Sequence, residues 1–201
     1  SDKLLRLWDL RTGAELLRFV GHTGAVNACS ILPGGVHMVT ASADKTLVLW
    51  DLRTGGEVLR FLGHAQSVSA CAVSTDGRRL LSGGNDKSLR LWDLQTGAEL
   101  LRLLGHIAPV TGCAFSSDGK RAVSCSLDYT LKLWELHSGM CLETVYGNAP
   151  FLSVVTQGDW LCAGDQAGNV WMLRDMTPQS TQSGEPNSRA SIVESIRKLL
   201  S

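Results

Sequence analysis

Residues of the three types that make a hydrolase triad recur through this chain in sets: Thr40, His22 and Asp44, then Ser82, His64 and Asp86, then Ser124, His106 and Asp128. A hydroxyl, an imidazole and a carboxylate could serve as nucleophile, general base and orienting group. The chemistry argues against that use. An activated nucleophile needs one exposed site with an oxyanion hole and a substrate cleft, whereas the histidines here step by 42 residues (22, 64, 106). An enzyme has no use for three equally spaced copies. A polar set multiplied at a fixed interval points to a scaffold whose buried groups satisfy one another, so no catalytic residue and no enzyme is expected.

Other chemistries fare no better. The remaining histidines, His37 and His137, have no partner at ligand spacing, and no CxxC pair occurs, so neither a metal nor a cofactor is expected. The run Leu81-Ser82-Gly83-Gly84-Asn85 precedes a strand instead of a helix and lacks the lysine of a phosphate-binding loop. With 19 basic and 19 acidic residues in 201, the chain has none of the cationic excess of a protein held on phosphate backbones, which disfavours nucleic acid as the main partner. No apolar run reaches membrane-spanning length. Cys29, Cys71 and Cys113 are one repeat position seen three times, so most of the six cysteines read as small apolar strand residues in a reducing compartment, the cytoplasm.

The elements that position these sets follow a beat. Trp8-Asp9, Trp50-Asp51, Trp92-Asp93 and Trp134-Glu135 lie 42 residues apart, and Gly21-His22, Gly63-His64 and Gly105-His106 keep the same step, with Gly147-Asn148 as a degenerate fourth. One unit, from Gly63 to Leu104, divides into four short segments bounded by turn residues: 68–73, ended by Asp76-Gly77; 79–82, ended by Asn85-Asp86-Lys87; 88–92; and 99–103, after Thr96-Gly97. That is a four-stranded antiparallel meander. Leu80, Leu81, Leu89, Leu91, Leu100 and Leu101 occupy both parities of the strand period, so each sheet needs neighbours on both faces.

The order GH, DG, SGGND, LRLWDL resembles the WD40 repeat in length, order and content, over residues 1 to about 173. The resemblance implies an all-β fold, a partial β-propeller of about four to five blades. Residues 1–20 supply a partial repeat; 21–62, 63–104 and 105–146 are full repeats; 147–173 are a degenerate terminal one. It also implies that each His, hydroxyl and Asp set joins Trp50, Trp92 or Trp134 in a buried tetrad. Asp lies six residues before Trp in each, and again at Asp165 and Trp171, where Asn148 and Leu161 stand for the His and hydroxyl and the network is expected to be broken. The chain opens inside a repeat, so it is expected to be an excerpt with further blades upstream, and an open arc standing alone is expected to self-associate. Residues 174–201 read as a polar linker and a short amphipathic helix, with Ile192, Val193, Ile196, Leu199 and Leu200 at helical spacing behind a Ser191/Glu194 capping box.

Positions that vary between copies are the ones free to suit a partner. The residue before each tetrad Asp is Ala43, Asn85, Leu127 and Gly164; the one after is Lys45, Lys87, Tyr129 and Gln166. The residues after GH vary too, and the third copy reads Ile107-Ala108-Pro109. By the resemblance both loops open on the narrow top face, where Ile107, Pro109, Leu127 and Tyr129 make an apolar patch beside Asn85 for binding other proteins. Arg18, Arg60 and Arg102, with Glu15, Glu57 and Glu99, read as a solvated ladder on the outermost strand. The function expected is a non-enzymatic protein-interaction scaffold or sensor, the alternative an adaptor subunit in a constitutive complex such as a substrate receptor or trafficking scaffold. Residues 148–151 and 161–170 resemble the final repeat of NACHT or AP-ATPase proteins that carry WD40 sensor domains.

Overall fold

The computed structural model describes residues 3–174. Its strands form five antiparallel sheets in chain order. The first holds β1 (Leu5–Trp8) and β2 (Glu15–Phe19). The second holds β3 (Val26–Ile31), β4 (His37–Ser42), β5 (Leu47–Asp51) and β6 (Glu57–Phe61). The third holds β7 (Val68–Val73), β8 (Arg79–Gly84), β9 (Leu89–Asp93) and β10 (Glu99–Leu103). The fourth holds β11 (Val110–Phe115), β12 (Arg121–Ser126), β13 (Thr130–Glu135) and β14 (Cys141–Tyr146), and the fifth β15 (Phe151–Gln157), β16 (Trp160–Asp165) and β17 (Val170–Arg174). The second strand of the third sheet runs two residues past the expected end, because Gly83 still pairs with Leu89. The C-terminal helix read from the sequence lies outside the described residues.

The acid of each Trp-Asp dipeptide starts the turn that follows. Asp93 Oδ1 accepts from the Gln95 and Thr96 N–H groups at 3.0 and 2.7 Å, and Asp51 does the same for Arg53 and Thr54. The chain then reverses at Gly97, φ +75°, a conformation that costs glycine little. Trp and Asp, adjacent on a strand, point to opposite faces. The indole goes into the sheet-to-sheet interface and the carboxylate into the turn.

Sheets stack through both faces. β4, β5, β8, β9 and β12 are buried along nearly their whole length, as expected where apolar residues occupy both parities. Trp92 packs on the preceding sheet with Val39, Leu47 and Phe61, and Trp134 with Leu81, Leu89 and Leu103. The first strands of successive sheets, β3, β7, β11 and β15, lie side by side along one edge of the stack. The first sheet has no such cover among the described residues: Trp8 is 47% exposed where Trp50 is 0%.

Candidate functional site

In each of the three middle sheets one chain of hydrogen bonds crosses the core. In the third sheet, His64 Nδ1 lies 2.9 Å from Asp86 Oδ2, His64 Nε2 lies 2.7 Å from Ser82 Oγ, and Trp92 Nε1 donates to Ser82 Oγ at 2.8 Å. The second sheet repeats this with His22, Asp44, Thr40 and Trp50, and the fourth with His106, Asp128, Ser124 and Trp134. Burial opposes charge on Asp86, but donors from Ser88, Ala65 and His64 outweigh it and hold the carboxyl at about 2. Burial in turn pushes His64 and His106 below the usual imidazole value, against the pull of their aspartates. That favours the neutral imidazole in His64 and His106, donating through Nδ1 and accepting the hydroxyl proton at Nε2. The hydroxyl, 0% exposed in all three sheets, is held at both ends and has no access to a substrate.

The same carboxylates reach outward. Asp128 Oδ2, besides meeting His106, accepts the Ile107 N–H at 3.0 Å, while Oδ1 accepts from Thr130 N–H and hydroxyl at 3.0 and 2.6 Å. Leu127 N–H donates to Pro109 O at 3.0 Å. The buried tetrad thus holds two loops together, and the structure brings Ile107, Pro109, Leu127 and Tyr129 to one place. Ile107 is 79% exposed, Tyr129 47% and Leu127 37%, with Pro109 half-buried. The loops of the other sheets have the same backbone bonds, Asn85 to Ser67 and Ala43 to Ala25, both 2.8 Å, but present the exposed Asn85 or a small alanine. Lys45, Lys87 and Tyr129, following each aspartate, all have φ near +70° (75°, 66° and 69°).

The fifth sheet departs from the expectation. Its indole does have a polar partner: Trp171 Nε1 donates to Asp165 Oδ2 at 2.9 Å, and Asn169 Nδ2 donates to the same oxygen. The spacing of six between these residues matches the tetrads by coincidence. Trp171 pairs across the strands with Ala163, as Arg90 pairs with Ser82, so it sits two positions before the tetrad tryptophan. Leu173, opposite Leu161, takes the place that Trp92 holds opposite Leu80. The first hairpin is also shorter: Gln157 pairs directly with Trp160 across Gly158-Asp159, where the third sheet uses a longer turn around Asp76-Gly77. Asp165 is held below the usual carboxylate range by its hydrogen bonds from Trp171 and Asn169.

Several contacts were not singled out from the sequence. Asn27 and Thr111 each donate from the first strand of one sheet to the carbonyl that starts the next, Val68 at 2.8 Å and Phe151 at 2.7 Å, and Ser69 does so to Val110. Their 42-residue step was visible, but a polar residue alternating with apolar ones reads as solvent-facing until the neighbour is placed. Arg90 is buried, 3.5 Å from Asp86 and over the Trp92 ring at 5.9 Å, and pairs with Glu99. Glu99 thereby leaves the expected ladder. Arg60 does pair with Glu57, yet it also reaches Gly21 O and Thr46 Oγ1, both at 3.1 Å, so its end is partly internal instead of solvated.

Among the described residues, no group of three or more His, Cys, Asp or Glu side chains could hold a metal ion, and no helix is long and apolar enough to cross a membrane. A family model described as WD domain, G-beta repeat (WD40) matches residues 13–51, 55–93 and 97–135, more than half of the chain. No curated protein matches it.

Proposed function

The chain belongs to the WD40-repeat family, whose members generally mediate protein–protein interaction, and we propose that this one captures a partner protein on the loops that Asp128 and its counterparts hold. One observation carries the reading: Ile107, Leu127 and Tyr129, three large apolar side chains, stand exposed on loops fixed from beneath by the hydrogen bonds that Asp128 accepts. Rigid loops lose little entropy on binding, and apolar side chains clustered at one spot are what an interface core requires. Family membership and repeated sheets support a partial propeller acting as a non-enzymatic scaffold, and six free thiols suit the cytoplasm. The likeness of residues 148–151 and 161–170 to the closing repeat of NACHT and AP-ATPase proteins supports a sensor role for that capture.

Affinity capture with the wild-type chain against the Leu127→Asp/Tyr129→Asp variant tests the proposal. Partners are lost from the variant while its melting temperature stays within about 2 °C of wild type, since surface changes cost within about 0.5 kcal/mol. A large fall in melting temperature, or an unchanged set of partners, overturns it.

A further inference from the structure

Between the fourth and fifth sheets a cleft opens at the place where the other sheet pairs hold an indole. Strand register sets the equivalence. Trp92 lies opposite Leu80 and Trp134 opposite Ala122, and their place in the fifth sheet, opposite Leu161, is taken by Leu173. The surface each packs on also corresponds: Val39, Leu47 and Phe61 beneath Trp92 become Val123, Leu131 and Val145 beneath Leu173. The ring pair Phe61–Trp92, 5.8 Å between centroids, is thereby replaced by a valine and a leucine. Closely packed interiors do not relax fully when large side chains become small, so space remains.

That space is an apolar cleft of about 600 Å³ with its open mouth included, lined by Val123, Leu131, Val145, Leu161 and Leu173. Glu143 adds a carboxylate to the lining, opposite Leu133 in register, at the position that Leu101 holds opposite Leu91. Trp160 and Arg174, the guanidinium 5.6 Å from the ring centroid, line it as well, together with Lys132 and Asp159.

We infer that this cleft binds a planar aromatic side chain, an indole or a phenol, presented by another protein and seated beside Leu173 in the space left where the preceding sheets hold a tryptophan. The shape is set by a slot that elsewhere in the same chain is filled by tryptophan. The apolar walls supply the burial, and the Glu143 carboxylate is an acceptor for the indole N–H or the phenol O–H. The cleft shares no residue with the loops of Ile107 and Leu127, so it is a second binding place independent of the one above.

The test uses free indole as probe on the 201-residue chain, with the melting temperature and ligand-observed NMR as readouts. Indole raises the melting temperature in a saturable way, as any ligand of the folded state does, and N-acetyl-tryptophanamide displaces it. Leu173→Trp fills the slot, and the variant no longer responds to indole. If Leu173→Trp does not fold, Val145→Phe, which restores the ring found at Phe19 and Phe61, serves the same purpose. No response of the wild type to indole, or an equal response of the slot-filled variant, overturns the site. Indole binding that N-acetyl-tryptophanamide does not displace overturns the assignment to a protein side chain.

Discussion

Asp165 accepts the Trp171 indole N–H directly at 2.9 Å, whereas Asp86 reaches the Trp92 indole only through His64 and Ser82. Two residues of the same types at the same spacing thus do different work. Removal of each carboxylate should show it. Asp86→Ala strands a buried imidazole and frees the Ala65 N–H, and is expected to cost about 1–3 kcal/mol. Asp165→Ala, in the less enclosed fifth sheet, is expected to cost about 1 kcal/mol. Urea unfolding of both variants checks the order. Equal losses would place Asp165 in a tetrad-like environment, and an Asp86→Ala protein of wild-type stability would undo the structural reading of the tetrads.

Acid should unfold the protein in two steps of sensitivity. His64 and His106 are held below the usual 6.5 in the folded state, so below that value the unfolded chain binds more protons and stability falls with pH. The aspartates act later. Asp86 at about 2 contributes stability that is complete above the unfolded value of 3.8 and lost as pH falls towards 2. Denaturation midpoints measured from about pH 7 down to about pH 3 check the sign, and a midpoint independent of pH over that range contradicts it.

Tyr129 stands at φ +69°, where a bulky residue is strained and glycine is not, and Gly168 holds the matching turn position in the fifth sheet at φ +88°. Tyr129→Gly is therefore expected to leave stability unchanged or raise it by about 1 kcal/mol, while weakening partner capture. A variant destabilised by more than about 1 kcal/mol would mean that the ring packs as core.

The end sheets present apolar surface. Trp8 and Leu16 on the first and Val170 and Met172 on the last are exposed, and β1 and β17 each pair along one edge only among the described residues. Sedimentation velocity of the 201-residue chain should show mass rising with concentration. A compact monomer at every concentration would rule that out.

Periodicity carried the reading well where environments repeat. A position that recurs at 42 residues in three sheets sits in three equal surroundings, so His22, His64 and His106 could be assigned to one role from the chain alone. Periodicity failed in the fifth sheet. Counting from Asp165 to Trp171 gives a false match, because spacing along the chain does not report which residue of β16 faces which residue of β17.

By itself the sequence determined the sheets and their turns, because strand alternation, turn chemistry and the repeat are properties of neighbouring residues, while the three tetrads followed from the resemblance to the WD40 repeat. Tertiary structure alone decided that Arg90 is buried on Trp92, that Asn27, Ser69 and Thr111 tie one sheet to the next, and that Leu173 stands in a tryptophan's slot. Those facts depend on cross-strand register and on the face of the adjacent sheet, which are set by packing between segments distant in the chain.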